Sequence, residues 1–135
     1  FTGNSRPASG SEHIIAHAWE LESVENGSKP NLHGLEVCEG TRIVADMYRL
    51  LYAETDDAHL KELIERYLPY FDAIEEFCDK MDMPHVTVDY DTMLRGVKRA
   101  LGLRDRYTIL FYLRDRGLFE RYAECATKSV HKRLI

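Results

Sequence analysis

With 135 residues, 44% of them hydrophobic, the chain is long enough for one domain that buries roughly two-thirds of its unfolded surface. No apolar run approaches the ~20 residues of a membrane span, and the three cysteines, Cys38, Cys78 and Cys125, are odd in number and far apart, which argues against a disulfide framework or a cysteine-based zinc site and fits a reducing cytoplasm. The net charge of -5 is uneven, with ten Lys/Arg against nineteen Asp/Glu up to Leu101 and eight against four afterwards. The late cations alternate with Asp105, Asp115, Glu120 and Glu124, so they read as a solvated helix face or a partner for the acidic first part, and not as a nucleic-acid site.

Ser9 followed three residues later by Glu12 reads as a capping box, which predicts a helix starting at Gly10. That helix carries His13 and His17 one turn apart, so both imidazoles look into one small volume. Trp19, the only tryptophan, is expected in the core. The turn formers of Asn26-Gly-Ser-Lys-Pro-Asn31 then allow His33 to swing back beside the first helix. Apolar periodicity predicts a helix over 34–54 (Leu35, Cys38, Ile43, Val44, Met47, Leu51) and another through Leu60, Leu63, Ile64, Tyr67 and Leu68, with Asp56 and Asp57 in its first turn. Pro69 ends or kinks that helix, and Phe71, Ile74, Phe77, Cys78 and Met81 mark the next. The segment 82–88 reads as an extended loop, and Asp89 caps a helix bearing Met93, Leu94, Val97 and Leu101. Gly102 and Gly117 bracket a helix with Ile109, Leu110 and Leu113 inside, and Phe119, Tyr122, Ala126 and Val130 line the last. Seven helices and no sheet predict an all-α bundle.

Three histidines brought together suit a metal or an acid–base site, while a buried hydrogen-bonded couple is the structural alternative. Zinc proteases place a glutamate just after the first histidine of the pair, whereas here Glu12 precedes His13 and is taken up by its capping role. The Glu-x-x-His spacing of di-iron bundles and the adjacent His-Asp of metal phosphohydrolases are absent. His13, placed in the first turns of a helix, lies near the positive dipole end, which favours the neutral, ligating imidazole. Arg6, just ahead of a helix N-terminus, is a candidate phosphate contact, with a loop salt bridge as the alternative. His59, His85 and His131 read as surface residues, and Arg104, Arg106, Arg114 and Arg116 as partners of Asp105 and Asp115.

Gly3-Asn-Ser-Arg-Pro-Ala-Ser-Gly-Ser-Glu-His13, then His17, then Leu32-His-Gly-Leu-Glu-Val37, resembles the carboxy-terminal half of sn-glycerol-1-phosphate dehydrogenases, bacterial ones in particular. The run Arg104-Asp-Arg-Tyr-Thr-Ile-Leu110 is similar to them too. These enzymes are relatives of glycerol dehydrogenase, iron-type alcohol dehydrogenases and dehydroquinate synthase. The resemblance implies that His13 and His33 bind a divalent metal, zinc with nickel or iron as alternatives, and that His17 lies by the substrate and handles a proton. It also implies a third carboxylate ligand upstream, which this sequence lacks, and an amino-terminal domain for NAD(P). No Gly-x-Gly-x-x-Gly occurs here, and Phe1-Thr-Gly-Asn opens inside the motif, so residues 1–135 read as one helical metal- and substrate-binding domain of a longer cytoplasmic, homo-oligomeric enzyme. The implied substrate is a small phosphorylated ketone or polyol. Glycerol dehydrogenase, dehydroquinate synthase-like chemistry and a free-standing helical interaction module are the competing readings.

Overall fold

The computed structural model describes residues 6–27, 33–80, 89–103 and 108–134, with side chains from 11–27, 36–80, 89–103 and 108–132. Among these the fold is all-α, with six helices: α1 (Arg6–Glu25), α2 (His33–Glu54), α3 (Ala58–Lys80), α4 (Tyr90–Ala100), α5 (Ile109–Asp115) and α6 (Phe119–Leu134). The expected seven become six because α3 runs unbroken through Pro69. Proline removes one N–H and crowds the carbonyl four residues back, but Pro69 and Tyr70 lie on the solvent side, where helix hydrogen bonds stretch with least penalty. The inward stripe Leu60, Ile64, Phe71 and Cys78 keeps its period across the proline, so burial holds the helix together. Phe77, expected inside, is exposed. The extended loop predicted at 82–88 lies outside the described residues.

Of the later caps Asp89 is the one read from the sequence, while Asp57 stands just before α3 and not in its first turn, and Thr108 is a finding of the structure. Asp57 Oδ1 accepts from the amides of His59 (3.0 Å) and Leu60 (3.1 Å) at the start of α3. Asp89 accepts from Thr92 N–H at 2.7 Å to open α4, and Thr108 caps α5. Gly117 takes φ +70° just after α5, a conformation that favours glycine.

One core joins all six helices. Ile15, Ile43, Met47, Tyr48, Ile64, Phe71, Met93, Ile109, Leu113 and Tyr122 are all essentially inaccessible. Trp19 belongs to the same core, and its indole N–H donates to the carbonyl of Met93 at 3.0 Å. The indole lies so close over Gly96 that a Cβ there would overlap it. At Gly40 a Cβ would stand 2.8 Å from the carbonyl of Glu12. Two glycines thus let α1 come close to α4 and to α2, and α1 also touches α5.

Helices α2 and α3 form an antiparallel hairpin around the short turn at 55–57. From the turn outward they are tied by Tyr52–Glu65 (2.5 Å), Arg49 with Asp72 (2.8 Å) and Glu75 (3.0 Å), and Arg42–Asp79 (2.5 Å). At the far end Cys38 and Cys78 are joined as a disulfide, with Cα atoms 6.1 Å apart. This overturns the argument from cysteine spacing. Residues 40 apart in sequence meet because they lie on facing helices at similar distances from one turn. Cys125 is free and exposed.

Among the described residues one late cation, Arg121, meets the acidic part as the charge pattern predicts, whereas Arg114 pairs with its own late neighbour and the late Glu120 takes a cation from the first part. Arg121 pairs with Glu54, Lys98 with Glu120 at 2.9 Å, and Arg114 with Asp115 at 2.9 Å. The Arg121 hydrogen bonds, with one from Tyr122, hold the Glu54 carboxyl down at about 2. None of the described helices is long and apolar enough to cross a membrane.

Candidate functional site

Helix α1 is covered on most sides. Ser11, Glu12, Ile14, Ile15, Ala16, Ala18 and Trp19 are buried, and the exposed positions between them are His13 and His17. The opening continues along one stripe, through partly exposed Glu20 to Val24, at spacings of four, three and four residues. Over residues 11–19 the two histidines are therefore the exposed positions of an otherwise buried stretch of helix. A pair buried as a hydrogen-bonded couple, the structural alternative, is not what forms.

The helix begins earlier than the capping-box reading requires. Arg6 is its first residue, so Ser9 and Glu12 lie inside it and do not cap it. Arg6 stands in the first turn rather than ahead of it, and its side chain lies outside those described. His13 is then two turns in, where the dipole of the N-terminus has largely faded. With no cap to make, Glu12 turns inward toward α2 and is only 9% exposed. No hydrogen-bond partner reaches its Oε2 among the described residues, and burial pushes its carboxyl up to about 7.

Sequence reading also passed over Glu20. Its Oε2 lies 3.7 Å from Nδ1 of the His17 imidazole, which is 47% exposed. The signal was available, since a carboxylate three residues past a histidine on a helix is a neighbour by geometry. His33 is the first residue of α2, and its side chain lies outside those described, so the structure joins His13 with His17 and is silent on the third imidazole. Just beyond it, Glu36 and Glu39 are buried. His59 is exposed at the start of α3, and His131 packs edge-on to Tyr90.

An accessible imidazole is a suitable donor for zinc, nickel or iron, and His13 meets that condition. Among the described residues no three His, Cys, Asp or Glu side chains converge on one point. A tightly held zinc needs three or four ligands, so the described residues do not by themselves make such a site.

Of the proteins this chain is similar to, the enzyme of Bacillus licheniformis is 33% identical over 123 residues, covering 85% of this chain and 31% of the relative. Its name is glycerol-1-phosphate dehydrogenase [NAD(P)+]. The chain is a relative of the glycerol-1-phosphate dehydrogenases. The glycerol-1-phosphate dehydrogenase of Korarchaeum cryptofilum is 36% identical over 110 residues, covering 80% of this chain and 30% of the relative. That of Methanosphaera stadtmanae is 31% identical over 131 residues, covering 96% and 31%. The chain thus spans about a third of the length of the curated glycerol-1-phosphate dehydrogenases it matches. No family model matches the chain. No solved structure matches it either.

Proposed function

We propose that residues 1–135 form the metal-binding, substrate-side half of an NAD(P)-dependent sn-glycerol-1-phosphate dehydrogenase that reduces dihydroxyacetone phosphate by hydride transfer. The observation that carries this reading is similarity over most of the chain to enzymes of that name, coinciding with an outward His13–His17 stripe on a buried helix. On this reading the longer protein is a cytoplasmic homo-oligomer, and its nucleotide domain faces that stripe.

His13 and His33 would hold the divalent metal with a carboxylate from outside this chain, and when bound the metal polarises the ketone oxygen and stabilises the alkoxide. His17, its Nδ1 facing Glu20, presents Nε2 to the substrate oxygen and delivers or accepts the proton there. Arg6, in the first turn of α1, offers a guanidinium and free backbone N–H groups to the substrate phosphate. The buried flanks of α1, clamped at Gly40 and Gly96, keep the imidazoles fixed while the substrate binds.

The test is substrate competition in the longer protein. NAD(P)H oxidation should be fast with dihydroxyacetone phosphate and slow with unphosphorylated dihydroxyacetone. Arg6→Ala should raise KM for the phosphorylated ketone far more than for the unphosphorylated one. Turnover only of dihydroxyacetone would move the assignment to glycerol dehydrogenase, and turnover only of the heptulosonate substrate of dehydroquinate synthase would move it to that branch.

A further inference from the structure

We propose that Cys38 and Cys78 form a reversible thiol–disulfide exchange site, open to low-molecular-weight thiols of the glutathione class, at the end of α2 that carries His33. The two cysteines face each other across the α2–α3 hairpin with Cα atoms 6.1 Å apart, within the range a disulfide spans. Cys38 is partly exposed while Cys78 is 9% exposed, so the sulfur open to attack is that of Cys38.

An incoming thiolate bonds to Cys38 Sγ, the Cys38–Cys78 bond breaks, and its electron pair leaves on Cys78 as a thiolate that takes up a proton. A second thiolate then attacks the external sulfur of the mixed disulfide and releases Cys38 as a thiol. In sum, one protein disulfide and two small thiols become two protein thiols and one small disulfide, and oxidised glutathione runs the sequence backwards.

Two observations favour exchange over a permanent structural staple. The chain has a continuous core spanning all six helices, so the bond is not needed to compensate for a missing interior. In addition, the hairpin keeps independent ties when the sulfurs part. Arg42, one turn beyond Cys38, pairs with Asp79, the residue after Cys78, and Arg49 pairs with Asp72 and Glu75 further along. These ion pairs hold the two thiols within reach of each other for re-oxidation. What changes between the forms is a tether in the second turn of α2. His33 lies five residues before Cys38, roughly 7.5 Å along the helix at 1.5 Å per residue. The consequence for a metal rests on the proposed role of His33, whereas the exchange itself does not.

The experiment equilibrates the chain in buffers of varied glutathione to glutathione-disulfide ratio, quenches with acid, labels with a maleimide under denaturing conditions and counts labels by mass. One label, on Cys125, is expected at the oxidising end and three at the reducing end. In a Cys125→Ser chain these counts become none and two. The oxidised form should melt roughly 5 to 15 °C above the reduced form. Cys78→Ser, which cannot form the internal bond, should carry two labels and melt like the reduced chain at the reducing end, and at the oxidising end should hold glutathione on Cys38 as a mixed disulfide seen by mass. One label at every ratio would make the bond a fixed staple and overturn the proposal, as would three labels at every ratio. Metal content of the longer protein, measured in both forms, tests the link to His33 separately.

Discussion

Glu12 is buried in α1, and no hydrogen-bond partner reaches its Oε2 among the described residues. Its folded pKa of about 7 exceeds the ordinary 4.5, so between those values the folded chain holds a proton that the unfolded chain has released. The contribution of Glu12 to stability is therefore fully present below about pH 4.5 and is lost as pH rises through 7, by roughly 2 to 4 kcal/mol. Glu12→Gln, measured by denaturant melts with chelator present, should remove most of that slope and be the more stable form at pH 8. A slope that survives the substitution would assign it to other groups. On the exposed side of the same helix, Glu20 faces His17. In the longer enzyme His17→Ala should keep its metal and lose roughly 10²- to 10⁴-fold in kcat. Glu20→Gln should lose less, with KM little changed, and a KM effect alone would mean that Glu20 contacts substrate instead.

Among the elements, α1 shows why glycine matters at two points of its contact with α2 and α4. Gly96→Ala pushes a methyl into the Trp19 indole and should cost about 1 to 3 kcal/mol, and Gly40→Ala a comparable amount against the Glu12 carbonyl. Trp19→Phe should cost about 1 kcal/mol for the lost bond to Met93. The double variant Gly96→Ala with Trp19→Phe should be milder than the sum, because the smaller ring makes room, and strict additivity in thermal melts would contradict the contact. Much of this architecture was legible: the apolar periods gave α2, α4, α5 and α6, Asp89 caps α4 as its side chain suggests, and the His13–His17 pair shares one face, whereas Thr108 as the cap of α5 was not read from the sequence. The rest depended on tertiary contacts. Pro69 signals a helix end locally, but the stripe from Leu60 to Cys78 overrides it. Ser9 and Glu12 match a capping box locally, yet burial against α2 draws Glu12 inward. Cysteine spacing carries no information about partners until the hairpin brings Cys38 to Cys78.

For the whole molecule, the central claim is that the outward stripe of α1 is one wall of a cleft whose other wall lies on a nucleotide domain. Hydride transfer needs nicotinamide, ketone and metal in near contact, and positioning of that kind can supply about 7 to 11 kcal/mol of the barrier. On the proposed function, residues 1–135 alone should therefore oxidise no NAD(P)H with dihydroxyacetone phosphate and should bind zinc weakly, since His13 and His33 would be two ligands where a tight site needs three or four. Tight zinc binding by the isolated chain that persists in His33→Ala would contradict the ligand assignment. The most direct test is metal content and turnover measured together in the longer protein and its His13→Ala variant. The account predicts one divalent metal per chain with active reduction of dihydroxyacetone phosphate in the parent, and loss of both in the variant. A His13→Ala enzyme with full metal content and normal turnover would contradict it.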